Sequence, residues 1–142
     1  MTPDDQHNIL AWWGAALSTL LALVKIIELR RDGFRLEASH NFTSDEEQGN
    51  EVLIRNLSAR PVILSHWELG YVSGRWPNRQ YIAVNHREYD AGDTRIDAHA
   101  THTLTFRGQD YFSWDPAFLN GRRIYIRLHV AGRQKPLTRV IY

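Results

Sequence analysis

The chain has 142 residues, with 17 Lys+Arg against 16 Asp+Glu and a formal net charge of +1. That balance excludes a polycation built to coat nucleic acid and an acidic tail protein, and 43% hydrophobic residues exclude general disorder. There is no cysteine, so disulfide scaffolds, thiolate zinc sites, cysteine nucleophiles and iron–sulfur clusters are excluded too.

Residues 1–8 form a short tail with Asp4 and Asp5 and no Lys or Arg. Apolarity is then concentrated in residues 9–27, ILAWWGAALSTLLALVKII, of which 9–24 carry no charge. At a rise of about 1.5 Å per residue this stretch spans roughly 28 Å, close to the hydrocarbon thickness of a bilayer. Lys25 lies about one turn from its end, where the stem can snorkel, and Trp12 and Trp13 lie near the other end, where an aromatic belt is expected. A signal peptide would need a basic front and a small-residue cleavage site, and the front reads TPDD. A buried helix apolar on all sides would need cover that a domain of this size hardly supplies. The stretch is therefore predicted as a transmembrane helix. Lys25, Arg30, Arg31 and Arg35 flank it on one side only. The positive-inside rule then places the N-terminus outside and the rest of the chain in the cytoplasm, at an inner (plasma) membrane. Gly14, Ser18 and Ala22 are spaced by four, and such small-residue stripes let helices approach closely in lipid. They are the expected helix-association face of a homo-oligomer.

After a short charged connector (28–32), residues 33–142 show period-two patterns and turn signals. Phe34, Leu36 and Ala38 alternate with Arg35, Glu37 and Ser39. An acidic loop (43–50) precedes strands around 52–54 and from Pro61 to Tyr71. Shorter strands are predicted at 81–84, 94–96 and 101–106, and a helical turn within 110–120. Ile124, Ile126, Leu128 and Val130 give the cleanest alternation, and a final strand starts at Leu137. Seven to eight short strands with no second long helix predict an antiparallel β-sandwich.

The segment EVLIRNLSARPVILSHWEL (51–69) resembles the opening strand–turn–strand of small immunoglobulin-like domains in bacterial membrane-anchored proteins, and 96–106 with 121–134 resemble their later strands. The resemblance covers 34–142. It implies an immunoglobulin-like sandwich and supplies no catalytic residues. The Cys–Trp–Cys pattern of antibody domains is missing.

Few motifs suggest chemistry. His99 and His102, with Asp93 and Asp97, have ligand-type side chains, but three-residue spacing on a strand points two imidazoles to opposite faces. Ser39–His40 and Ser65–His66 are adjacent pairs whose side chains would diverge likewise. No catalytic residue, metal or cofactor is expected, and a small metal-independent hydrolase is the weakest alternative. Charge is more informative. After Asp115 there is no acid, while Arg122, Arg123, Arg127, Arg133, Lys135 and Arg139 follow. With the aliphatic residues of 124–130 inward, Arg123, Tyr125, Arg127 and His129 form an outward set suited to a nucleotide or an anionic lipid. The plain alternative is a solvated face balanced by Glu46, Glu47 and Glu51. Arg75, Trp76, Arg79 and Tyr81 form a second patch of residue types that anchor protein interfaces. The sequence thus predicts a membrane-anchored, non-enzymatic binding or sensing module. Its expected form is an oligomeric membrane effector like those of antiphage defence, or an adaptor that recruits a protein partner.

Overall fold

The computed structural model describes residues 3–31, 33–88 and 90–142, and the side chains of 12–29, 33–88 and 90–142. The chain divides into two compact units, Met1–Gly33 and Phe34–Tyr142.

The first unit is one helix, α1 (Pro3–Arg31), longer at both ends than the apolar stretch. Residues 12–29 form an 18-residue window of mean hydropathy 1.5, none of it buried within the protein. Lys25 sits inside that window, and its Nζ lies 3.0 Å from Glu28 Oε2, one turn on. Intrahelical pairing lessens the cost of a charge in an apolar segment. The side chains of residues 9–11 and of Arg30 and Arg31 lie outside those described.

The second unit is mainly β, with eight strands in two antiparallel sheets. The smaller sheet is ordered β1 (Leu36–Asn41), β2 (Asn50–Asn56), β6 (Thr101–Phe106). The larger is ordered β4 (Gln80–His86), β3 (Val62–Ser73), β7 (Arg123–Val130), β8 (Leu137–Val140), with β5 (Thr94–Ile96) also paired to β3. Alternation puts Val52 and Ile54 on one inner face and Leu69, Ile124, Ile126 and Leu128 on the other, all fully buried in a common core. The expected helical turn is α2 (Pro116–Leu119). Asp115 caps it by accepting from Ala117 N, and Asn120 ends it in the left-handed conformation.

Two asparagines anchor the loops. Asn50, fully buried, accepts from Thr43 N and donates to Phe112 O over 2.7 Å. Asn56, also fully buried, donates to the carbonyls of Arg60, Ile96 and Asp97, and its Oδ1 accepts from Ser58. Burial of an amide demands such pairing. Asn56 is the first residue of a glycosylation-type triplet, and here its role is to clamp the β2–β3 turn.

Candidate functional site

The outer face of the larger sheet holds the predicted basic set. Register places His66 opposite His129, Glu68 opposite Arg127, Gly70 opposite Tyr125 and Val72 opposite Arg123. The four predicted residues share that face, as period two requires. Their environments depart from the expectation of an open basic surface. Tyr125 is only 1% exposed. Gly70 leaves room across the strand, and the Tyr81 ring covers Tyr125 edge-on at 4.9 Å between centroids. An aromatic platform for a ligand is therefore not available at Tyr125.

Arg127 is also occupied. Its Nη1 lies 2.6 Å from Glu68 Oε1, and Tyr125 donates its hydroxyl to the same oxygen over 2.9 Å. Arg127 Nε reaches Thr138 Oγ1 at 3.3 Å, and its guanidinium lies over the rings of Tyr81 and Tyr125. The balancing acid is thus Glu68 on the neighbouring strand, not Glu46, Glu47 or Glu51. Burial, then the hydrogen bond to Glu68, push the Tyr125 phenol up to about 12. Arg123, at the start of β7, is exposed, and His129 is half-buried.

His129 belongs to a histidine group that the sequence pattern did not single out. Its ring lies 5.4 Å from that of His66, and His66 lies 6.5 Å from His86 on β4. Burial, then His129 and His86, lower the His66 pKa, with Glu68 opposing. Among the described residues no group of three or more His, Asp or Glu is arranged to hold a metal ion. His99 adopts a positive φ of 59° in the turn before β6. Ser65 lies at a register shift in β3, and its hydroxyl donates to the His129 carbonyl over 3.0 Å. The shift could be expected from the Ser65–His66 break in alternation. Glu68 could be found only by aligning β3 against β7.

The second patch lies on the β3–β4 hairpin. Gly74 turns it with a φ of +80°, a conformation open to glycine. Trp76 is 81% exposed and does not fold back on the sandwich edge, and Arg75 and Arg79 beside it are exposed. Tyr81 leaves this group, because β4 has begun and turns its ring onto Tyr125.

On α1 the predicted stripe of Gly14, Ser18 and Ala22 is exposed. Ser18 Oγ donates to the Gly14 carbonyl over 2.9 Å, which satisfies the hydroxyl within its own helix. No protein-family model matches the chain, and no curated protein matches it in sequence.

Proposed function

We propose that the protein is a membrane-anchored, non-enzymatic binding module, with α1 as the anchor and the β-domain as the recognition unit. The observation that carries this reading is the 81% exposure of Trp76 between Arg75 and Arg79 at a hairpin tip. Solvent penalises a large exposed ring, and Trp and Arg are among the residue types most enriched at the energetic centres of interfaces. The reading takes the occupant as a protein partner, so the chain acts as an adaptor at the inner membrane with its β-domain in the cytoplasm. The division of the strands into β1–β2–β6 and β4–β3–β7–β8 supports an immunoglobulin-like sandwich, whose loops serve many binding roles.

Self-association supports a second form of the same reading, an oligomeric effector. Its basis is the Gly14, Ser18 and Ala22 stripe, whose single hydroxyl is already satisfied.

One cross-linking experiment tests both. The full chain is expressed with a photo-reactive residue in place of Trp76, Ser18 or, as a control, Arg107. Position 76 is expected to give one discrete adduct that Arg79→Ala weakens, and position 18 an adduct of two copies. No adduct at 76, or the same one at 107, would remove the adaptor reading. No two-copy adduct at 18 would remove self-association.

A further inference from the structure

A cleft of about 570 Å³ opens between β1 and β8, on the flank where each is the last strand of its sheet. Its walls include Phe34, Arg35, Glu37, Leu57, Arg133 and Arg139. We propose that this cleft binds a phosphate group, gripped by Arg35, Arg133 and Arg139.

Three observations carry the proposal. The first is charge: three arginines line the cleft against one acid, Glu37. Among the described residues the ion pairs are Lys25–Glu28, Arg95–Asp97 and Arg127–Glu68, so no wall arginine is neutralised by such a pair. This reverses the outer face of β7, where Glu68 holds Arg127.

The second is orientation. The Arg133 guanidinium carbon lies 4.2 Å from the centroid of the Phe34 ring. Stacking holds the plane of the group while its N–H donors stay free at the edge. Arg139 pairs in register with Ile126, whose side chain is in the core, so Arg139 lies on the inward side of β8. At the last strand that side meets the cleft. A single inward charge on an edge strand also discourages unwanted strand pairing, but one lysine would serve for that. Three arginines around one cavity match the forked geometry and multiple acceptors of a phosphate.

The third is size. The volume lies within the range of small-ligand sites and accommodates a phosphate with the group that carries it. The bearer could be a soluble phosphate or a lipid headgroup. The lipid source rests on the anchoring proposed above, whereas the phosphate site itself does not.

The full chain in neutral detergent is titrated with two probes: inorganic pyrophosphate, and mixed micelles containing phosphatidylglycerol, with phosphatidylcholine micelles as the blank. Binding of at least one probe is expected. Arg133→Ala and Arg139→Ala should each weaken it about tenfold or more, the scale of a lost charge-assisted hydrogen bond. Arg133→Lys with Arg139→Lys keeps the charge and should still weaken it. Glu37→Gln should tighten it, and Arg107→Ala, at the far end of β6, should leave it unchanged. Melting temperatures of all variants are compared to exclude unfolding. Binding of pyrophosphate alone assigns a soluble ligand, and binding of phosphatidylglycerol alone assigns a headgroup. No binding of either probe would overturn the proposal. So would equal losses in Arg107→Ala and Arg133→Ala, or full retention in the double lysine variant. A chain found outside the membrane would remove the anchoring and leave the pyrophosphate result standing.

Discussion

Glu68 organises the outer face of the larger sheet through one oxygen that accepts from both Arg127 and Tyr125. The arrangement has a defined pH signature. The Tyr125 phenol is raised from 10.0 to about 12, so the folded state favours its neutral form. Its contribution is complete below pH 10.0 and is lost as pH rises from there toward about 12. Glu68→Gln removes the charged acceptor and should bring Tyr125 ionisation back toward 10.0, read by ultraviolet titration of tyrosinate. It should also cost about 1.5–3 kcal/mol at neutral pH, as loss of a partly buried charged acceptor does. Unchanged tyrosine titration would show that burial alone sets the shift.

Strand β4 depends on one glycine. An alanine Cβ at Gly70 would collide with the Ile82 carbonyl oxygen, at a point where the register of β3 and β4 already shifts. Gly70→Ala should therefore loosen β4 and the hairpin that carries Trp76, at about 1–3 kcal/mol. Hydrogen exchange of the β4 amides and denaturant midpoints measure this, and wild-type values for both would show that the strands part without strain. The strands themselves were largely legible: β7 from Ile124 alternating to Val130, β6 from 101–106, and β3 from a proline-led run. Alternation says which side of a strand a residue faces. It does not say whether a second strand covers that side, so Tyr125 reads as exposed in sequence and is buried by Tyr81. Glu68 and Arg127 are 59 residues apart, and no local pattern joins them. The exposure of Trp76 was legible because Gly74 and Pro77 signal a turn around it. The clamp at Asn56 was hidden, since an asparagine before Leu-Ser reads equally as a surface triplet. The Arg133 and Arg139 cleft needs the two sheet edges in place before its residues meet.

The two units make one topological prediction together. Arg30, Arg31 and Arg35 follow the apolar segment and Lys25 lies near its C-terminal end, against no basic residue in 1–8. A reporter active only in the cytoplasm, fused after Tyr142, should be active, and one active only outside should be silent. The opposite pattern would reverse the proposed orientation and expose the β-domain to the outside.

The same chain order affects assembly during synthesis. The Glu68–Arg127 contact joins residues 59 apart, so β3 leaves the ribosome well before β7. At about 5–20 residues per second the wait is about 3–12 s. Through that interval the longest strand, 12 residues, offers an open ladder on the side β7 will occupy. With α1 already inserted, as proposed, neighbouring nascent copies share one plane, and a completed β7 from one copy can add to the waiting β3 of another. Strand exchange between tethered neighbours is then the expected misassembly, and slower translation across residues 74–122 should increase it.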